Sequence, residues 1–335
     1  MGHDFSKLAE GLDKSNALGF LKTFPEQCRN ALELGRRLEI NDGRKISSII
    51  VSGMGGSGIG GHVLRNLLKN EINIPMDVYH SYSLPKYADE NTLVFAVSYS
   101  GNTEETIACM EEAQKRNCLV IALASGGKIR GMGKYEIALP KDAPQPRMAV
   151  PFLTLPMLPV LEKLGLIENQ ENSYNEMLSV LEESRNEIDE IAKNVAIALK
   201  GKSPVIYAGD EMDSVAYRWV CELNENSKTL AHFQAIPEMN HNEINSEIFP
   251  GNAAFVFLRS GNENAKIAKR FEITKDILKD YGKQIEIFAK GNSLLARMYY
   301  AIFIDELASC YLALLNGKDP EPVPKIAYLK KRLAE

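Results

Sequence analysis

An excess of positive charge and paired cysteines are missing from this chain of 335 residues, and its opening is not expected to act as a secretory leader, so several classes of function are disfavoured. The 39 basic and 44 acidic side chains leave a net charge of -5 at pH 7. Nucleic acid is therefore not expected as the main partner, although a small local anion site made of backbone amides stays open. Five cysteines, Cys28, Cys109, Cys118, Cys221 and Cys310, are odd in number and scattered, with no CxxC pair. A zinc ribbon or thiol redox motif is thereby excluded, and reduced thiols in a cytoplasm are the simplest reading. No stretch reads as the roughly 20 apolar residues of a spanning helix, so no membrane partner is expected. The opening MGHDFSKLAEGLDKSN has acids and no apolar core behind a basic stretch, unlike a secretory signal. His62, His80, His232 and His241 show no HxxxH spacing, so no resident metal is expected, nor a zinc-dependent isomerase mechanism.

What is present reads as an ordinary globular composition, 45% hydrophobic and 25% charged, in a chain long enough for about two domains. Apolar side chains at helical spacing, from Phe5, Leu8 and Leu12 to Ala31, Leu32, Leu34 and Leu38, predict a helical segment over 1–45, broken near Pro25 and packed across another domain or subunit. KISSIIVSGMGGSG followed by GHVLRNLLK then reads as strand, glycine loop and helix. MDVYH, TLVFAVSYSGNTEETIACMEEAQK, CLVIALASGG and YEIAL continue the alternation. Strands alternating with helices imply a doubly wound parallel α/β sheet, assigned to a first domain at 46–165. A charged amphipathic linker helix is expected within 166–200.

The pattern then restarts over 201–317. SPVIYAGDEMDSVAYRWV repeats the strand, loop and helix, and AAFVFLRSGNENAKIAKRF parallels VFAVSYSGNTEETIACM. Gly101 follows Gly53 by 48 positions and Gly261 follows Gly209 by 52, which implies an internal duplication. The second copy lacks the glycine cluster and the paired hydroxyls, so only the first is expected to bind phosphate. A helical tail occupies 318–335.

Two loops carry the binding chemistry. Gly53, Gly55, Gly56 and Gly58 let backbone N–H groups approach an anion at a helix N-terminus, and Ser57 adds a hydroxyl. The second loop, Ser98-Tyr99-Ser100-Gly101-Asn102-Thr103, adds three hydroxyls at the carboxyl end of a neighbouring strand, where ligands of open parallel sheets collect. Uncharged donors suit a phosphate that must be bound and released. Residues 53–58 also match the dinucleotide fingerprint GxGxxG, a weak signal alone. Dinucleotide binding calls for an acid at the end of the second strand, and here that strand ends Tyr79-His80-Ser81.

The densest remaining polar chemistry is Cys221-Glu222-Leu223-Asn224-Glu225-Asn226-Ser227-Lys228 and Pro237-Glu238-Met239-Asn240-His241-Asn242-Glu243. Carboxylates and a histidine are what an aldose–ketose interconversion requires: a base that moves a proton between C1 and C2, and an acid that opens the ring. Glu222 and Glu225 are expected on one helix face. His232 reads as a strand packing residue, and Glu238 and Glu243 as groups that orient neighbours.

GMGGSG, SYSGNTEET, PRMAVPF, ELNENSK and PEMNHNEI, in this order, resemble the bifunctional phosphoglucose/phosphomannose isomerase family, built from two sugar-isomerase (SIS) domains. The resemblance implies a cofactor-free enzyme in which Gly55, Gly56, Ser57, Ser98, Ser100 and Thr103 surround the substrate phosphate. It also implies that Arg147 stabilises the enediolate, that Glu225 is the C2 base, and that His241 opens the ring from across a homodimer interface. A C-terminal lysine completes the family's site, Lys330 by the match to PVPKIAYLKKRL, with Lys325 and Lys331 as substitutes. The family threonine linked to the mannose epimer has no counterpart, because 319–332 contains no threonine. A sugar-phosphate-binding SIS protein without turnover would need only the hydroxyl loops. An aminosugar synthase of the amidotransferase type would need a nucleophile where Gly2 stands.

Overall fold

The computed structural model describes residues 4–333; the extreme ends of the two terminal segments, 1–3 and 334–335, lie outside the described residues. The chain opens with α1 (Phe5–Leu12), α2 (Ala17–Leu21) and α3 (Phe24–Arg37). Pro25 stands in the first turn of α3, where its missing N–H costs nothing. The α/β alternation follows: β1 (Ser48–Ser52), α4 (Gly56–Leu68), β2 (Met76–Tyr79), β3 (Thr92–Val97), α5 (Glu104–Lys115), β4 (Leu119–Ala124) and β5 (Tyr135–Ala138). A 3-10 turn at Pro146–Ala149 leads into α6 (Val150–Thr154) and α7 (Met157–Lys163). The charged segment forms two helices, α8 (Glu171–Glu183) and α9 (Arg185–Leu199), rather than one, with the break at Ser184.

The second alternation comprises β6 (Ser203–Gly209), α10 (Asp213–Glu225), β7 (His232–Ile236), β8 (Ala253–Arg259), α11 (Ala265–Leu278) and β9 (Lys283–Phe288). The chain ends in α12 (Leu294–Leu315) and α13 (Pro324–Leu333). Two compact units result. One holds Thr23–Glu182 with Asn292–Ala296, and the other holds Met1–Lys22, Glu183–Gly291 and Arg297–Glu335.

The first of these units is built on a five-stranded sheet ordered β2-β1-β3-β4-β5, the second on a four-stranded sheet ordered β7-β6-β8-β9. Every strand pairing in both is parallel. The strand order of the smaller sheet repeats the first four positions of the larger one, as the sequence repeat predicts. Strands β1, β3, β4 and β8 are buried along their whole length, which explains their unbroken apolar runs. In the five-stranded unit α3 packs on α6 and α7, so this helix covers its own unit.

Helix α12 corrects the reading that no stretch approaches the length of a membrane span. Its 22 residues, with a mean hydropathy of 1.4, are long and apolar enough by that measure, yet the whole window is buried inside the protein. It is a core helix, and one of its buried carboxylates is paired there. Arg218 of α10, itself buried, binds Glu222 at 2.5 Å and reaches Glu306 of α12. Asp305 is also buried, and neither of its carboxyl oxygens meets a hydrogen-bond partner among the described residues. Burial, with the charge of Glu306 beside it, pushes the Asp305 carboxyl well above the usual carboxylate range.

One guanidinium facing three carboxyls in a dry interior leaves the third holding a proton. Above the ordinary carboxylate range the folded state keeps that proton while the unfolded chain releases it, so Asp305 lowers stability as pH rises. Asp305→Asn is expected to raise the urea midpoint over the parent at pH 8 and by less at pH 5; parallel pH profiles would show that no proton is held. Arg218→Met strands two buried carboxylates and is expected to cost about 3–5 kcal/mol in the same titrations.

Candidate active site

The glycine loop turns directly from β1 into α4, and the hydroxyl loop from β3 towards α5, so two helix N-termini end over adjacent strands of one sheet. Each helix begins with unsatisfied N–H groups. Ser57 in the first turn of α4 is buried, and its hydroxyl accepts the Tyr99 N–H at 3.0 Å, tying one loop to the other. Buried Ser98 meets the Thr103 hydroxyl at 2.8 Å and accepts the Gly101 N–H at 3.1 Å. Ser100 is exposed and accepts from Asn102 N at 3.3 Å, while Thr103 caps α5 in extended geometry.

Glycine is required at two of these positions for reasons of space. A Cβ at Gly56 would lie 2.6 Å from Arg147 Cα and 2.7 Å from its N. Gly101 has φ +70° and would meet the Gly126 carbonyl oxygen at 1.7 Å. The first contact is informative, because it places the backbone of Arg147 directly against the glycine loop. Arg147, 2% exposed, sits in the 3-10 turn Pro146–Ala149. The six residues expected to face a phosphate and Arg147 thus all belong to the five-stranded unit.

Glu225, His241 and Lys330 belong to the four-stranded unit. Glu225 ends α10 and is half-buried, whereas Glu222 one turn earlier is fully buried on Arg218. Three apart on α10, the two glutamates differ in burial, because Glu222 packs into the core and Glu225 lies at the helix end, nearer solvent. Asn226 donates to Glu222 at 2.5 Å and to Ser309 at 2.9 Å. Lys228 donates to three backbone carbonyls, those of Glu225 at 2.8 Å, Asp319 at 3.0 Å and Pro320 at 3.1 Å. A cation on the last carbonyls of a helix offsets the negative end of its dipole, and here it also ties the turn bearing Glu225 to the segment that leads into α13. Within ELNENSK, then, Glu222, Asn226 and Lys228 build the frame around Glu225.

His241 is exposed at the end of a 3-10 turn, Glu238–His241. That turn is held by Asn242 donating to Glu238 at 3.0 Å and Asn240 donating to Thr274 at 2.9 Å. Glu243 accepts from Tyr207 at 2.6 Å and pairs with His232 at 2.8 Å. The reading of His232 as a packing residue is corrected: it is exposed at the start of β7, and the Glu243 carboxylate accounts for its position. Lys325, Lys330 and Lys331 all lie exposed on α13, none of whose residues is buried.

The sequence reading missed the histidine pair beside the glycine loop. His80 Nδ1 lies 2.6 Å from the Gly53 carbonyl oxygen, and its Nε2 lies 2.7 Å from His62 Nε2. Burial, then the charges of His80 and Arg65, hold the His62 pKa down at about 4. Set 18 positions apart, the two imidazoles gave no spacing signal. Their meeting is set by α4 lying against β2.

The four-stranded unit carries no such cradle. Asp210, Glu211 and Asp213 follow β6 where the glycines follow β1, Ser260 donates to the Glu211 carboxylate, and Arg259 is paired with Glu263 at 2.9 Å. Carboxylates at that place repel an anion.

Residues 44–153 match the SIS domain family, and residues 188–333 match the bacterial phospho-glucose isomerase C-terminal SIS domain. The chain is 37% identical over 329 residues to a bifunctional phosphoglucose/phosphomannose isomerase of Caldicellulosiruptor bescii, covering 93% of this chain and 97% of that one. It is 36% identical over 289 residues to the protein of the same name from Thermoplasma acidophilum, covering 86% and 90%. Among solved structures, the C-terminal domain of glucosamine-fructose-6-phosphate aminotransferase from Francisella tularensis superposes with a TM-score of 0.66 at 16% identity, covering 92% of this chain and 98% of that one. That last likeness concerns the fold alone.

Two glycine substitutions separate packing from backbone strain. Gly56→Ala drives a methyl into the Arg147 backbone and is expected to lower kcat/KM by at least about a hundredfold. Gly55 has φ +52° and ψ -127°, a conformation that favours glycine, but open space around its Cβ position, so Gly55→Ala should cost about 1–3 kcal/mol of backbone strain with little effect on packing. Steady-state kinetics beside thermal melts of both variants check the contrast.

Proposed function

The chain belongs to the bifunctional phosphoglucose/phosphomannose isomerase family, and we propose that it interconverts glucose 6-phosphate and mannose 6-phosphate with fructose 6-phosphate through a cis-enediol. The observation that carries the site assignment is the contact of Gly56 with the Arg147 backbone, which joins an anion cradle to a buried guanidinium. In this reading, the amides of Gly55 and Gly56 and the hydroxyls of Ser57, Ser98, Ser100 and Thr103 hold the 6-phosphate. His241 protonates the ring oxygen as the C1–O bond of the hemiacetal opens. Glu225 removes the proton from C2 and returns it to C1 as the carbonyl moves. Arg147 meets the enediolate oxygen with a planar, permanently charged fork, the geometry a developing oxyanion calls for. Lys330 completes the site from α13. Because α13 is exposed over its whole length, Lys325 and Lys331 stay open as its substitutes.

The assembly is a cytoplasmic homodimer in which His241 serves the partner's site; its exposure on a braced turn supports that placement. The chemistry uses no cofactor and no metal. A binding protein without turnover would have no use for a base framed by Arg218, Asn226 and Lys228, which favours the enzyme.

Glu225→Gln is expected to keep the affinity for a sugar phosphate while abolishing deuterium exchange at C2 in heavy water; retained exchange removes the assignment. For supply across the interface, Glu225→Gln and His241→Asn chains are mixed and refolded together. One site of each mixed dimer then holds both native groups, so activity should return from two inactive parents. No recovery in verified heterodimers would place His241 in its own chain's site.

A further inference from the structure

We propose that the Tyr99 hydroxyl is a positioning group for Arg147, setting the guanidinium by pinning the loop that delivers it; this rests on the role given to Arg147 above. Tyr99 lies between the two hydroxyl positions of its loop that face phosphate in the proposed site, yet its own side chain turns inward and is buried. Three groups of this one residue hold three segments. Its N–H donates to Ser57 at 3.0 Å, and its carbonyl accepts the Ser125 N–H at 2.9 Å and the Ser125 hydroxyl at 2.7 Å. Its phenolic oxygen accepts the Ala143 N–H at 3.1 Å.

The Ala143 bond matters because of what surrounds it. Residues 140–146 read Pro-Lys-Asp-Ala-Pro-Gln-Pro, and the three prolines have no N–H to donate. Few anchors can therefore fix this segment, and Ala143 provides one just four residues before Arg147. At the other end the Arg147 backbone is stopped by Gly56. The backbone of the segment is thus held between a hydrogen bond to the second loop and a close approach to the first, and the side chain of Arg147 starts from that backbone. Burial, with the charge of Asp142 nearby, raises the phenol's pKa, so it remains neutral at working pH and serves as a dipole.

Tyr99→Phe removes that oxygen alone and leaves the backbone bonds to Ser57 and Ser125 in place. The expected result is a kcat lowered roughly tenfold by a displaced guanidinium, with KM and competitive inhibition by inorganic phosphate within about twofold of the parent. In an Arg147→Lys background, itself expected to be slow, the same change should have little further effect, since both act through one group. A parental kcat in Tyr99→Phe, a matching rise in KM and phosphate inhibition constant, or a full additional loss in the double variant would overturn the proposal. If Arg147→Lys turns over at the parental rate, the assignment of Arg147 itself falls and this inference with it. A slow Arg147→Lys beside a fully active Tyr99→Phe removes the Tyr99 proposal and leaves Arg147 standing.

Discussion

A phosphate dianion can be held without a lysine in the cradle only where enough N–H dipoles and hydroxyls face one point, and that demands close approach of backbones. In the proposed site that demand converges on Gly56. The glycine loop lies so near the Arg147 segment that no side chain fits between them. Ser57 accepts from the backbone of the neighbouring loop, so the two helix N-termini are set against each other by a hydrogen bond within the protein. The fully buried strands beneath hold both loops at the carboxyl edge of the five-stranded sheet.

The four-stranded unit meets a different constraint. For the proposed reaction, a base has to combine some freedom from the interior with rigid backbone. Helix α10 satisfies both by dividing its last turn: Glu222 goes into the core with Arg218, and Glu225 stays half-buried at the end. Asn226 and Lys228 then fasten that end to α12 and to the 319–320 turn. The buried charges cost desolvation, and together with these hydrogen bonds they fix the backbone of the helix end that carries Glu225.

Much of this was legible from residue order. Apolar runs between glycine and hydroxyl turns gave the strands and both loops, and the restart after residue 200 gave the second sheet with its parallel order. The ordered motifs gave the family. The sequence did not reveal which glutamate of ELNENSK is buried, because that depends on α12 and its Glu306, 84 positions beyond Glu222. The break of the linker at Ser184 was equally hidden, since neither glycine nor proline marks it. Helix α12 escaped as a long apolar element because Arg297, Asp305 and Glu306 interrupt its run. The His62–His80 contact and the Tyr99–Ala143 bond join residues whose spacing carries no periodic signal.

The two sheets share a strand order but not a loop chemistry: Asp210, Glu211 and Asp213 follow β6 where glycines follow β1. A negatively charged group that would meet backbone N–H dipoles and hydroxyls after β1 would meet carboxylates after β6, so one strand order presents opposite electrostatic faces at its two corresponding loops.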